Sequence, residues 1–480
     1  MYKMKSYTLN FILVLSILGM TACEDALVEN IYSELAPSTL FTTEEGISSS
    51  LNAAYAYAHR SGLVQTWAPH YLGGMPAGET WGAGGSIESL WVALMNFTWD
   101  SNHGQIVPMW AVYYRAIRDA NIVLDNIDSD AFSNDFKQLT VAEINFIRGW
   151  AYSELYSLFG PVPLLVSSSD DPIQPRASDA DMRVFIEQEL NAAIAGLPVV
   201  PSAYGRASKG AAMGVLTKYY LNTKQWQQTT DLTFDIFELG EYSLDPNYQD
   251  VFAIANEGNM EMLWALTKDP TSGSASQSMN ALVFPPDFPR PYPNNSVWAA
   301  RTYLYDDFVN SYEASDTRQG IIVTDYVSTS SGLLVEGLGN DQSFPYKYEF
   351  DPNSVGFASG NDIPIVRYAD ILLSRAEALN ELSGPTQEVI DLINEVRLRA
   401  MATALSLGGF TQESLRDAIL QERAWEFFFE GKRREDLIRQ GRFISDAVAR
   451  GKNAQDFHVL YPIPQVELDA NPNIEQNPGY

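Results

Sequence analysis

Apolar residues recur at intervals of three and four through the first half of the chain, and few stretches there alternate between apolar and polar. Between residues 43 and about 261 this spacing is typical of amphipathic helices rather than of strands. Thr140, followed three residues later by Glu143, has the pattern of a capping box. The apolar positions that follow are Ile144, Ile147, Ala151, Leu155 and Leu158. Because Gly160 and Pro161 then form a stop signal, one helix is predicted from about Thr140 to that point.

Further helices are predicted downstream of this one. Ser178 with Asp181 marks a helix start, and the helix continues to about Gly196. Residues 208–221 and 227–239 form a pair of helices joined by a short turn. Such hairpins bury little surface alone and must stack on neighbours, although no strict 34-residue repeat is present. The fold class predicted is therefore mostly α.

Residues 266–361 differ from the first half of the chain in composition and periodicity. Ser, Gly, Pro and Asn crowd the stretches 271–279, 285–296, 329–340 and 351–361, and a single helix is predicted near 298–313. Long loops in compact proteins are usually functional or mobile, so this region is predicted as a ligand face. Helical periodicity returns after Ile365, where Val389, Ile393, Val396 and Ala400 mark one face. The predicted units are thus 39–265 (helical), 266–361 (loop-rich) and 362–480 (helical).

The N-terminus has the pattern of a secretory signal peptide. Lys3 and Lys5 precede an apolar run from Phe11 to Met20, and no acidic residue occurs before Glu24. The run is too short for a permanent membrane span, which needs about 20 apolar residues. Residues 1–22 are therefore predicted to be removed.

Cys23 directly follows this segment and is the only cysteine in the chain. A single cysteine cannot form an internal disulfide. Its position after Met20-Thr21-Ala22 instead indicates a lipobox, although Met20 replaces the more usual leucine. Lipidation of Cys23 would anchor the chain, since each buried methylene contributes about 0.8 kcal/mol. Residues 23–38 are then a tether, and its acidic start resembles the surface-export signal of Bacteroidetes lipoproteins.

The charge balance restricts the partners. The chain has 60 acidic and 31 basic residues, a formal net charge of −29, with 46% hydrophobic and 19% charged residues. Such a composition supports a large core and excludes a disordered chain. The acidity disfavours nucleic acid and anionic lipid as partners. Solubility alone also accounts for it.

Candidate catalytic and metal-binding patterns have structural explanations. Glu422 and Glu426 lie four residues apart on one predicted helical face, and glycosidases use a pair of carboxylates. Arginines stand close by at positions 423, 433, 434 and 439, so ion pairing is the preferred interpretation. The same interpretation covers Arg367 with Asp370 and Glu377. The four histidines lack metal-ligand spacing, and no nucleotide, dinucleotide or nucleophile-elbow motif is present, so no cofactor, metal or enzymatic activity is predicted.

Aromatic residues in irregular segments are the better functional candidates. Sugar rings stack on flat aromatic side chains while their hydroxyls bond amides and carboxylates. Trp81, which is flanked by glycines, and Trp99, which is beside Asp100, meet this description before residue 110; Tyr292 and Trp298 meet it in the loop-rich region. These five are the predicted ligand-binding residues. Tryptophans at helical spacing are predicted to be core instead: Trp110, Trp150, Trp226 and Trp425.

Several ordered fragments together resemble the SusD/RagB family of outer-membrane nutrient-binding lipoproteins. They are Trp110, Tyr114, Ile117, Ala120, Asn121 and Leu124; Arg148 with Gly160–Leu164; Arg206–Gly210 with Leu221 and Trp226; Pro364–Asp370 with Ala376–Ala378; Glu422, Arg423, Glu426 and Gly431–Leu437; and Tyr461–Pro464, Glu467, Asn471, Pro472 and Gln476–Tyr480. Each fragment is weak alone. Their order, behind a lipoprotein signal, makes the resemblance specific.

The resemblance implies a SusD-like fold with four TPR-like helix pairs packed against an irregular, loop-rich half. It further implies a surface-exposed, lipid-anchored protein that captures an oligosaccharide and passes it to a SusC-like TonB-dependent transporter in the outer membrane. Two alternatives stay open: a RagB-like peptide-binding protein of the same architecture, and a secreted glycoside hydrolase. The resemblance does not identify the ligand.

Overall fold

The computed structural model describes residues 40–60, 63–271, 273 and 275–480. Helices dominate this part of the chain, as predicted. They are α1 (Glu44–Ala58), α2 (Leu63–Gly74), α3 (Glu88–Asn96), α4 (Val107–Asn126), α5 (Asn134–Phe159), α6 (Asp179–Gly196), α7 (Lys209–Asn222), α8 (Trp226–Leu239), α9 (Met279–Val283), α10 (Asp306–Val309), α11 (Tyr368–Ser383), α12 (Gln387–Arg399), α13 (Gln412–Phe427), α14 (Arg433–Arg439), α15 (Phe443–Ala449) and α16 (Gln465–Ala470). None of these helices is both long and apolar enough to cross a membrane.

The larger helices form a continuous array. Helix α4 packs on α1 and α5, and the contacts then run from α5 through α6 and α7 to α8. Helix α8 contacts α11, which links the first helical region to α12 and α13 near the C-terminus. Several ends of these helices match the sequence signals. Ser178 accepts from the backbone N–H of Asp181, and Gly160 ends α5 at φ 73°, a conformation that favours glycine.

The start of α5 differs from the prediction. The helix begins after Ser133 rather than at Thr140, so Thr140 is a buried residue of the helix interior. Glu143 does not cap it; its carboxylate accepts from the hydroxyl of Tyr55 (3.0 Å) and pairs with Arg206 (3.3 Å). The predicted capping box was therefore wrong, because the Glu143 carboxylate bonds Tyr55 and Arg206 instead of the start of the helix.

Short strands pair two by two, antiparallel, within the loop-rich region and between segments outside it. The strands are β1 (Thr80–Ala83), β2 (Met262–Leu266), β3 (Arg301–Leu304), β4 (Ile322–Val323), β5 (Asp325–Val327), β6 (Leu334–Glu336), β7 (Phe344–Pro345) and β8 (Ile363–Arg367). They pair as β1 with β3, β2 with β8, β4 with β7, and β5 with β6. The helix predicted near 298–313 was wrong: this stretch contains β3 and only the four-residue α10.

Most predicted core positions are buried. Val389, Ile393 and Val396 are fully buried in a cluster that joins α11, α12 and α13, and Ala400 is fully buried as well. Trp110 and Trp150 are also buried, as predicted. Trp226 and Trp425 are only half-buried; Trp226 lies at the first turn of α8, and the indole nitrogen of Trp425 donates to the hydroxyl of Ser311.

Candidate functional site

The pairing of β1 with β3 brings together aromatic residues that lie more than 200 positions apart. Trp81 stands opposite Tyr303 in the register, and their ring centroids are 4.6 Å apart at 32°. The indole nitrogen of Trp81 donates to the carbonyl oxygen of Asp341 (2.6 Å). Tyr305 follows two residues after Tyr303, and its ring centroid lies 6.5 Å from that of Trp81. Trp81 is half-buried, so one side of the indole packs while the side chain stays partly accessible.

Polar side chains border these rings. The hydroxyl of Tyr326 in β5 donates to Asp287 (3.2 Å), and both Tyr326 and Phe288 pack into the ring cluster around Phe344. The pKa of the Asp287 carboxyl is lowered, chiefly by a hydrogen bond from Ser328 and further by Tyr326 and Arg301. We define this aromatic surface by the following residues: Trp81, Tyr303, Tyr305, Tyr326, Asp287 and Arg301. It combines the half-buried rings of Trp81, Tyr305 and Tyr326 with a carboxylate and a guanidinium, which suits recognition of a hydroxyl-rich ligand.

The segment that contains Trp298 lies at the end of β1. Gly84 has φ +79°, and a Cβ there would stand 2.6 Å from the carbonyl oxygen of Ala299, so this close approach requires glycine. The Trp298 ring packs on Phe357 at 5.0 Å, and Phe357 is 42% exposed. Tyr292 is 37% exposed on the same loop. The structure therefore joins Trp81 and the loop of Tyr292 and Trp298 through the glycines that follow β1.

Trp99 and Asp100 lie elsewhere. Trp99 is 4% exposed, and its indole nitrogen donates to the hydroxyl of Tyr480 (2.8 Å). The Trp99 ring packs against the rings of Phe97, His458 and Tyr461. Asp100 is exposed and accepts from the backbone N–H of Asn102. These two residues therefore do not share a surface with Trp81, and Trp99 offers no free ring face.

Residues of the aromatic surface were missed at the sequence level for a specific reason. Arg301, Tyr303 and Tyr305 stand at alternate positions, a spacing typical of one face of a strand. The helix predicted over 298–313 obscured this signal. Asp287 and Tyr326 carry no such local signal, because their proximity depends on the packing of separate loops.

The carboxylate pair Glu422 and Glu426 is buried. One guanidinium nitrogen of Arg318 lies 2.7 Å from Glu422 and 3.1 Å from Glu426, and all three side chains are at most 1% exposed. The predicted structural role in ion pairing agrees with this geometry. A substrate has no access to these oxygens.

The ion-pair partners predicted from sequence proximity were wrong. Arg423 binds Asp370 (3.0 Å) and Asp436 (2.9 Å) rather than the glutamates of its own helix. Arg434 donates to the carbonyl oxygen of Val459, and Arg433 donates to that of Leu420. Arg367 binds neither Asp370 nor Glu377, but three glutamates: Glu261, Glu426 and Glu430. In the part of the chain that the structure describes, no cluster of three or more histidine, cysteine, aspartate or glutamate side chains could hold a metal ion.

Comparisons with known proteins agree with this architecture. Residues 310–480 match the model of the SusD family, and residues 78–221 match one described as starch-binding and associating with the outer membrane. SusD-like protein P25 of Formosa agariphila is 32% identical over 407 residues, which cover 76% of this chain and 77% of the relative. The starch-binding protein SusD of Bacteroides thetaiotaomicron is 25% identical over 434 residues, 76% of each chain.

Solved structures share the fold. A laminarin-binding SusD-like protein superposes with a TM-score of 0.77 at 23% identity, covering 91% of this chain and 100% of that one. Surface glycan-binding protein A from Bacteroides uniformis superposes with a TM-score of 0.78 at 23% identity, covering 91% of this chain and 99% of the other. The SusD-like fold expected from the sequence is thereby confirmed.

Proposed function

Because this chain belongs to the SusD family, we propose that it is a non-enzymatic, cell-surface lipoprotein that binds an oligosaccharide and passes it to a SusC-like TonB-dependent transporter. The observation that carries the binding function is the aromatic surface, which the β1–β3 pairing assembles from two distant loop regions. Relatives named for starch and laminarin binding support a glycan as the ligand class.

The aromatic surface supplies both parts of sugar recognition. The rings of Trp81 and Tyr305 provide apolar area, and the Trp298–Phe357 pair adds a second platform beyond Gly84. Asp287 and Arg301 provide hydrogen-bonding groups beside the rings. We therefore assign Trp81, Trp298 and Tyr292 to the primary ligand site.

Replacement of the stacking tryptophans tests this assignment. Trp81→Ala and Trp298→Ala should each weaken binding of starch or laminarin fragments about fivefold or more, since a lost aromatic contact costs about 1 kcal/mol. Their loss of stability should stay below the roughly 3–5 kcal/mol expected for a fully buried tryptophan. Calorimetric titration beside a melting curve measures both quantities.

Trp226→Ala is the matched control, because Trp226 is half-buried at the start of α8, away from the aromatic surface. Its affinity should equal that of the unaltered protein. Unchanged affinity in both Trp81→Ala and Trp298→Ala would reject the placement. Release of reducing ends from the same polysaccharides would instead support the hydrolase alternative, and binding of peptides alone would support the RagB-like one.

The proposed location depends on Cys23, which lies outside the described residues. Lipidation there, following removal of residues 1–22, would hold the protein at the outer membrane by its acyl chains. Cys23→Ser should therefore yield soluble periplasmic protein without fatty-acid label. Metabolic labelling with a fatty-acid probe and membrane fractionation measure this, with the unaltered chain as control. Continued labelling of the variant would contradict the assignment.

A further inference from the structure

A second concave site lies near the C-terminus. A cavity of about 570 Å³ opens between the segment after α3, the turn that follows α15, helix α16 and the last residues of the chain. This volume falls in the range of about 300–1,000 Å³ that is usual for small-molecule sites. We define this C-terminal pocket by the following lining residues: Trp99, Asp100, Asn453, Phe457, Gln465 and Tyr480.

Aromatic rings form one wall of the C-terminal pocket. Phe457 and Tyr480 meet edge to face, with centroids 4.8 Å apart at 80°, and both are half-buried. The hydroxyl of Tyr480 is fixed, because it accepts from the indole of Trp99 (2.8 Å) and donates to the carbonyl oxygen of Leu460 (2.7 Å). Gly479 has φ +99°, and a Cβ there would lie 2.3 Å from the Phe457 ring. The wall is therefore held rigidly while its rings remain partly accessible.

Other residues that line the pocket are polar. Ser101 donates to the side-chain oxygen of Gln465 (3.1 Å), which fixes that amide at the rim. One carboxylate oxygen of Asp100 accepts from the backbone N–H of Asn102 (2.8 Å). Its second oxygen and the amide of Asn453 have no hydrogen-bond partner within the described ranges, and both residues are exposed. Unused acceptors and donors thus line the same pocket as the aromatic rings.

We propose that the C-terminal pocket is a second sugar-binding site, separate from the aromatic surface. One sugar unit of a neutral oligosaccharide stacks on Phe457 and Tyr480, and its hydroxyls bond Asp100 and Asn453. No hydrogen bond or ring contact joins the two sites within the described residues. The exposed carboxylate of Asp100 and the net charge of −29 disfavour an anionic glycan. This inference rests on the proposed glycan-binding function and assigns a second position to it.

The test uses the double variant Asp100→Ala/Asn453→Ala, since both side chains are exposed and their removal leaves the ring packing in place. Laminarihexaose and maltohexaose are the probes, titrated by calorimetry into the unaltered protein, the double variant and Trp81→Ala. Two classes of site are expected in the unaltered protein. The double variant should weaken one class at least fivefold, and Trp81→Ala should weaken the other. Asp456→Ala, an exposed acidic neighbour of Phe457 that does not line the pocket, is the control and should change neither class.

The outcomes separate this inference from the proposed function. If Trp81→Ala removes all binding and the double variant binds normally, the second site is rejected while the proposed function stands. If the double variant loses binding and Trp81→Ala does not, the C-terminal pocket is supported and the primary assignment is rejected. Absence of binding by the unaltered protein to every glycan offered, polysaccharides included, overturns both.

Discussion

At the scale of single residues, arginines from three separate segments converge on Glu422 and Glu426. The cations are Arg318, Arg367, Arg397 and Arg399. Burial alone raises the pKa of the Glu426 carboxyl, yet the guanidinium groups of Arg399, Arg367 and Arg318 together hold that pKa well below its ordinary value. A carboxylate kept ionised and fully bonded in this way serves the core and not a proton transfer. Burial of so many compensated charges makes each of them costly to remove.

Removal of one carboxylate from this network should destabilise the protein strongly. Glu422 is fully buried and lies 2.7 Å from both Arg318 and Arg397, so Glu422→Ala removes one anionic partner from each of two buried cations. The expected loss in the free energy of unfolding is about 3–5 kcal/mol. Urea denaturation followed by circular dichroism measures it.

Asp417→Ala is the matched control on the same helix. The Asp417–Arg442 pair is exposed, with side chains 60% and 44% accessible, and its loss should cost less than about 1 kcal/mol. Equal stability of the two variants would contradict the structural role of Glu422. Full stability together with lost glycan binding would reverse the roles assigned to it.

At this scale the sequence predicted the kind of interaction but not its partners. Paired charges at helical spacing indicated ion pairing, which is a local inference from residue type. Arg318 is 104 positions from Glu422 and Arg367 is 59 from Glu426, however, so only the packing of distant segments brings them together. No local pattern carries that information.

At the scale of secondary-structure elements, helices with two clear end signals were predicted well. Helix α6 has Ser178 at its start and Gly196 at its end, and both appear in the structure. The predicted start of helix α5 was wrong: the helix begins after Ser133, whose hydroxyl donates to Glu44 instead of capping the helix. The strand β3 was missed because a helix was predicted over it, and its actual partner β1 lies more than 200 residues away. Strand pairing across such a long sequence separation is a tertiary contact, which a local sequence pattern does not reveal.

A glycine contact between α2 and the turn before α14 yields a prediction at the same scale. A Cβ on Gly73 would stand 2.1 Å from the carbonyl oxygen of Gly431, which is backbone and cannot rotate away. Gly73→Ala should therefore lower the free energy of unfolding by about 1–3 kcal/mol, despite the roughly 1 kcal/mol that alanine contributes to a helix interior. Thermal denaturation measures this. Gly408→Ala, which meets no atom within 4 Å, should change stability by less than about 0.5 kcal/mol, and a more stable Gly73→Ala would contradict the contact.

At the scale of the whole molecule, the helical array and the loop-rich region differ in structure and in proposed role. Helices α4 to α8 and α11 to α13 pack against one another in chain order and form a continuous array. The strands β2 and β8, which flank the loop-rich region in the chain, pair with each other. The pairing of β1 with β3 forms the aromatic surface. The family resemblance predicted this division from ordered fragments along the chain. It did not predict which loop residues meet, because those contacts depend on strand pairing between loops.

The transporter partnership is the remaining prediction at this scale. A protein held at the membrane by one lipid-anchored tether can deliver a glycan only if it stays beside the transporter, which requires an interface of more than about 1,000 Å². Affinity purification of the tagged chain from outer membranes in mild detergent should therefore recover a SusC-like TonB-dependent barrel in equal amount, identified by mass spectrometry. An unrelated lipoprotein with the same tag and signal peptide is the control, and it should recover none. Because the chain carries a net charge of −29, the association should be compared at low and physiological salt, so that ionic capture of a basic barrel is separated from a specific interface. Recovery of the lipoprotein alone under several detergents at both salt concentrations would count decisively against the partnership.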